Sequence, residues 1–326
     1  MRDDKIDSLK GILILLVVYG HIPFGYFNIE KGVFLGGVTS VIYFFHMPLF
    51  FVISSLFVKQ EISYLKNRFY FILIPYIVWY FYIHKRDILI SGDFLQHIGN
   101  IFLGNWYGLE SIIWFLPALF SLNFLIFLYY KYNYQVKTTL IFFSVVTFLF
   151  AKELSEQHNF IPFGLDVAVY LLPLVVFAKY IYNNKNTLRL NNYILVMSFV
   201  IGTSLLLLFE PVKTHSNYHA IIDFAQFSVP YTVVGYISFI IVNLSIFFFF
   251  INNRSSKIFE YIGKYSYPIF LLHLIILYRF EIKQENMYVN ISFLLLAFIL
   301  SIISPIILSK ILMKISNRFK YIGMVK

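Results

Sequence analysis

The feature that most constrains this chain is its set of long apolar runs without a single charge, among them residues 231–251 and 291–308. A helix needs about 20 predominantly apolar residues to cross a bilayer core of roughly 30 Å, and these runs match that length. The rest of the sequence agrees. Of 326 residues, 60% are hydrophobic and only 13% are charged, against about 25% charged in a soluble domain. The sequence predicts an all-α fold, a polytopic transmembrane helix bundle of about ten spans, with residues 1–326 as a single integral-membrane domain.

The spans fall near residues 9–27, 38–58, 69–84, 112–130, 138–151, 166–182, 193–209, 230–251, 265–280 and 289–312. With the N-terminus inside, 19 of the 26 lysines and arginines lie on the inner side. The positive-inside rule then places both termini in the cytoplasm. The same asymmetry accounts for the net charge of +10, since no basic cluster carries a nucleic-acid motif. The first run continues into Pro23-Phe24-Gly25-Tyr26-Phe27 with no small-residue cleavage pattern, so it is expected to remain as the first span. Pro75, Pro117, Pro173 and Pro268 fall inside predicted spans, which membrane helices tolerate. The longer outer loops, 85–111, 152–165 and 210–229, carry Trp106, Glu110, His158, His215, His219 and Asp223.

Ionisable groups at membrane depth cost a few kcal/mol and usually mark function or line a cavity. In "DSLKGILILLVVYGH" the first span has a charged foot, Lys10, and a histidine, His21. At 1.5 Å per residue His21 stands about 16 Å above Lys10, in the outer half of the bilayer. His46 lies about 12 Å in from the outer end of the second span by the same rise. His273 falls near the middle of the ninth. A neutral histidine also serves simply to hydrogen-bond a neighbouring helix. Lys10 also suits an interfacial anchor, Lys66 and Arg68 suit inner-side topogenic charge, and Asp7 suits the start of a helix.

Other chemistries find little support. There is no cysteine, hence no disulfide, thiol nucleophile or thiolate metal site. No Walker loop, dinucleotide fingerprint or Gly-x-Ser-x-Gly elbow occurs. His215-x-x-x-His219 has the spacing of a metal pair but lacks a third ligand, so no metal is expected.

Read in order, "RDDKIDSLKGILILLVVYGH", "FFHMPLFFVISSLF", "YLKNRFYFILIPYIVW", "WFLPALF" and "YSYPIFLLHLIIL" resemble the acyltransferase 3 family of integral-membrane acyltransferases. The resemblance runs along the whole chain and is closest to the fucose O-acetylase-like branch. The family's basic residue, ten residues and histidine are matched by Lys10 and His21, with lysine where many relatives have arginine. The second-span pattern departs mildly, reading Ile53-Ser54-Ser55 where Ile-Ser-Gly is usual.

The resemblance implies an O-acyltransferase of the bacterial inner (plasma) membrane. It would move an acyl group, acetyl above all, from cytoplasmic acyl-CoA to a hydroxyl of a surface polysaccharide or lipid-linked sugar. Acetyl-CoA is then a co-substrate and no cofactor is held permanently. The partners are acyl-CoA, the glycan acceptor and membrane lipid, with no nucleic acid. His21 is the candidate catalytic base, because a proton must leave the acceptor hydroxyl and imidazole suits that task near neutral pH. Lys10, Lys66 and Arg68 are the candidate donor-binding residues. Asp7, His46, Trp114 and His273 are candidate supporting or acceptor-side residues. An alternative function stays open: an exporter or flippase of a surface polysaccharide, in which the same polar residues line a route.

Overall fold

The computed structural model describes residues 3–26, 41–103, 113–150, 161–188, 190–209, 232–277 and 291–325. The regular elements among these residues are helices, and no strand occurs among them. In chain order they are α1 Asp4–Tyr26, α2 His46–Ser55, α3 Ile62–Arg68, a π-helical turn Phe69–Leu73 running into α4 Ile74–Ser91, and α5 Phe94–Leu103. There follow α6 Phe115–Lys131, α7 Tyr134–Leu149, α8 Leu165–Asn183, α9 Asn192–Phe209 and α10 Val233–Asn252. The last are α11 Lys257–Lys264, α12 Ser266–Leu277, α13 Ile291–Ile315 and a closing 3₁₀ turn, Asn317–Ile322.

Among the described residues, four helical stretches, Pro162–Asn183, Asn192–Phe209, Val233–Asn252 and Leu295–Ile315, are long and apolar enough to cross a membrane. Val41–Ser55, Phe115–Lys131, Tyr134–Leu149 and Ser266–Leu277 are shorter apolar helices. Their outer faces show what solvent they suit. Along α13, Leu295, Ile299, Ile303, Ile307, Ile311 and Ile315 recur every fourth residue, and all are exposed. On α9, Tyr193, Met197 and Leu208 are likewise exposed. Apolar stripes of this length are untenable in water and are matched by lipid.

The chain divides into two compact units, Met1–Ile42 with Arg254–Lys326, and Tyr43–Asn253. In the first, α1 packs against α11, α12 and α13. Buried residues cover most of its circumference, from Ile6 and Leu9 through Leu13, Ile14, Val17 and Val18. In the second, α8 packs against α2, α6, α7 and α10. The turn into α8 is set by Phe163 and Gly164, both left-handed (φ 54° and 56°). Ser121 Oγ donates to the Phe163 carbonyl at 2.9 Å and holds that turn.

One feature differs from the hydropathy reading. The stretch read as an outer loop from residue 85 is helical through the end of α4 and again over α5. The helix of the ninth span begins at Ser266, at the expected start of that span and directly after α11 ends at Lys264. Pro117 and Pro268 sit in the first turns of α6 and α12, where a missing N–H removes no helical hydrogen bond.

Candidate active site

The foot of α1 is held by backbone-to-backbone packing. A Cβ on Gly11 would collide with the Phe259 carbonyl of α11. A Cβ on Gly263, also on α11, would collide with the Asp7 carbonyl of α1. The two glycines therefore let the helices approach more closely than any side chain allows. The Ser256 N–H adds a hydrogen bond to Ser8 Oγ at 3.3 Å. Against this rigid base Asp7 is buried, and its carboxylate lies 3.7 Å from Lys10 Nζ. Lys10 keeps part of its side chain exposed while Asp7 orients it.

From Lys10 the helix is unbroken to His21. Eleven residues are about three turns, so the two side chains leave one face of α1 about 16 Å apart. His21 Nδ1 lies 2.7 Å from the Val17 carbonyl oxygen. A carbonyl only accepts, so Nδ1 carries the proton and Nε2 holds the lone pair. This is the tautomer a proton acceptor at Nε2 requires.

His273, on α12, makes the same arrangement beside it. Its Nδ1 is 3.0 Å from the Ile269 carbonyl and 2.8 Å from that of Phe270. The ring is fully buried, and its Nε2 has no hydrogen-bond partner among the described residues. The two imidazoles meet edge-on, with centroids 5.0 Å apart and planes at 63°. The first unit thus joins Asp7 to Lys10 at the foot of α1 and His21 to His273 at its top.

The remaining candidates lie in the second unit. His46 is buried at the start of α2, edge-on to Tyr43 with centroids 4.8 Å apart. Trp114 is buried just before α6, its ring 5.8 Å from Phe51 and 6.0 Å from Phe115. Lys66 and Arg68 lie on α3, two residues apart and so on different faces of it. Lys66 is exposed. Arg68 Nε donates to Tyr64 Oη at 2.6 Å, and the guanidinium lies over that ring. Burial pushes the Tyr64 phenol up from its ordinary range, with the charge of Arg68 acting against that rise.

A second histidine pair escaped the sequence reading. His84 on α4 and His97 on α5 are both buried, with centroids 5.4 Å apart. Tyr80 Oη hydrogen-bonds His97 Nδ1 at 3.0 Å, and its ring lies 4.4 Å from that of His84. The available signal was Tyr80 and His84 one helical turn apart at the end of an apolar run. Trp106, Glu110, His158, Asp223 and the pair His215 and His219 lie outside the described residues. Among the described residues, no group of three metal-ligating side chains comes together.

Comparison with known proteins adds a family. A family model described as an acyltransferase domain matches residues 3–310. The chain is 27% identical over 290 residues to the probable poly-beta-1,6-N-acetyl-D-glucosamine export protein of Staphylococcus aureus (strain MSSA476), covering 82% of this chain and 81% of that one. It is 26% identical over 238 residues to nodulation protein NolL of Sinorhizobium fredii, covering 64% and 65% respectively. No solved structure matches the chain at a significant level.

Proposed function

The chain belongs to this acyltransferase family, and from that premise we propose that it moves an acetyl group from cytoplasmic acyl-CoA to a hydroxyl of a surface polysaccharide or lipid-linked sugar. The observation that carries the reading is the state of His21. Its Nδ1 is tied to the Val17 carbonyl, which leaves the lone pair on Nε2, three turns above a basic foot on the same helix face. In the proposed reaction Nε2 takes the acceptor hydroxyl's proton as that oxygen bonds to the thioester carbonyl carbon. The carbon–sulfur bond then breaks, and the proton passes from His21 to the departing thiolate, giving the ester and free CoA.

Lys10 is assigned to a phosphate of the donor, with Asp7 orienting it. Lys66 and Arg68 are assigned to donor binding because they follow the second predicted span on the basic, inner side. His273 is assigned to holding the His21 ring, and His46 and Trp114 to the acceptor side. The topology that goes with this is ten spans in a bacterial cell membrane with both termini in the cytoplasm. Support comes from the family, the four long apolar helices and the two relatives, whose names concern a glycan exporter and a nodulation protein.

The name of the staphylococcal relative favours a second reading, export of a polysaccharide without acyl transfer. One experiment separates them. Surface polysaccharide is compared by mass spectrometry and NMR in cells with and without the protein, and purified protein is titrated with acyl-CoA. Loss of O-acyl groups without the protein, together with acyl-CoA binding, supports the transferase. Unchanged acylation with polysaccharide retained inside the cell supports the exporter.

A further inference from the structure

Lys179 is the one buried lysine or arginine among the described residues, 9% exposed near the end of α8. Its Nζ donates to the Val58 carbonyl at 2.8 Å and lies 4.6 Å from the centre of the Tyr130 ring. Among the described residues no carboxylate lies against it. Other lysines also lie over aromatic rings, but Lys131 is exposed and Lys137 only partly buried. A buried ammonium without a counter-charge is costly, and one carbonyl with one π face offsets only part of that cost. Three N–H donors are present, and one is used by Val58.

Val58 lies in the connection from α2 to α3, and α3 carries Lys66 and Arg68. Phe57, one residue earlier, packs edge-on against Tyr182 of α8 with centroids 5.6 Å apart. Lys179 thus grips the segment that leads into the two basic residues already assigned to the donor. In the sequence it counted only as one more inner-side charge.

We propose that Lys179 is an anion-binding residue at this end of the second unit, and that it receives a phosphate group. Two sources carry that chemistry: the phosphates of acyl-CoA and the headgroup of an anionic phospholipid. The acyl-CoA source rests on the acyl-transfer reading, whereas the lipid source is independent of it.

The test uses the full chain in phosphatidylcholine nanodiscs, with coenzyme A titrated at low and high salt. Retention of added phosphatidylglycerol is read separately by native mass spectrometry. Lys179→Gln keeps a donor for the Val58 carbonyl and loses the charge; Lys179→Arg keeps the charge. Expected is a loss of about tenfold or more in coenzyme A affinity for Gln, as for a hydrogen bond to a charged group, with affinity near wild type for Arg. The salt dependence should flatten in the Gln variant, because a screened charge pair has gone. Unchanged coenzyme A affinity with phosphatidylglycerol retention lost in Gln and kept in Arg assigns the phosphate to lipid. If neither ligand responds to Gln while Lys179→Met lowers the unfolding temperature, Lys179 only caps the carbonyl and the proposal is overturned. A wild-type protein that binds no coenzyme A defeats the acyl-transfer reading, and the lipid measurement alone then decides Lys179.

Discussion

His21 and His273 meet edge-on with ring centroids 5.0 Å apart, and each ties its Nδ1 to a carbonyl of its own helix. Both lone pairs are therefore on Nε2. A packing histidine needs no such neighbour. A proton acceptor gains from one, because the second ring fixes the orientation of the first.

His21→Gln keeps size and hydrogen bonding but cannot hold the hydroxyl proton. Transfer is expected to fall by about 100- to 10,000-fold, the usual contribution of a general base. The variant should insert, express and bind acyl-CoA as before, since Lys10 lies about 16 Å lower on the helix. Near-normal acylation of the glycan by this variant would remove His21 from the chemistry, and His46 would be tested next.

His273 gives a sharper separation of stability from activity. Its Nε2 is a buried acceptor with no donor among the described residues, which costs stability by about 1–3 kcal/mol. His273→Leu, of similar volume, should leave the unfolding temperature unchanged or raise it while acyl transfer falls at least about tenfold by general-base arithmetic. A lowered unfolding temperature with activity in proportion to folded protein would mark His273 as packing.

The parts of the site that were legible in the sequence are those carried by one helix. Lys10 and His21 share a face because eleven residues are about three turns, and no tertiary contact is needed to see it. The pairing of His21 with His273 was not legible, because it depends on how α12 meets α1 from the far end of the chain. The buried state of Lys179 and the His84–His97 pair were hidden for the same reason. Hydropathy marked the apolar segments well but misread residues from 85 onward as loop. α5 carries Gln96, His97 and Asn100 among exposed Phe94, Leu95, Ile98 and Phe102, so it is too short and too mixed to register as a span.

Lys10→Ala and Arg68→Ala should each weaken acyl-CoA binding, and the loss should shrink as salt rises, because partly exposed charge pairs are screened. Folding should change little for Arg68→Ala, whereas Lys10→Ala takes this partner from the buried Asp7 carboxylate and should also lower the unfolding temperature. Titration of the double variant is the decisive measurement; wild-type affinity there would take both residues out of donor binding.

Orientation is open to direct labelling, because the chain contains no cysteine and any introduced one is unique. Cysteines at Lys326 and Asn217, both outside the described residues, are expected to be protected and accessible, respectively, to an impermeant reagent added to intact cells. Both accessible, or both protected, would break the span count between them.

The last expectation concerns the seam between α1 and α11. Gly11 faces the Phe259 carbonyl and Gly263 faces the Asp7 carbonyl, so any Cβ there meets backbone, which cannot swing aside. Overpacking of this kind costs about 1–3 kcal/mol or more. Gly263→Ala should therefore lower the unfolding temperature in detergent. It should also force the turn of α1 that carries Asp7 and Lys10 away from α11, weakening acyl-CoA binding in the protein that remains folded. Gly99→Ala is the control, since a Cβ there meets nothing within 4 Å and replaces a poor helix former. If Gly263→Ala behaves like Gly99→Ala in both measurements, the helices do not rely on that close approach, and the glycines do not set the position of Lys10.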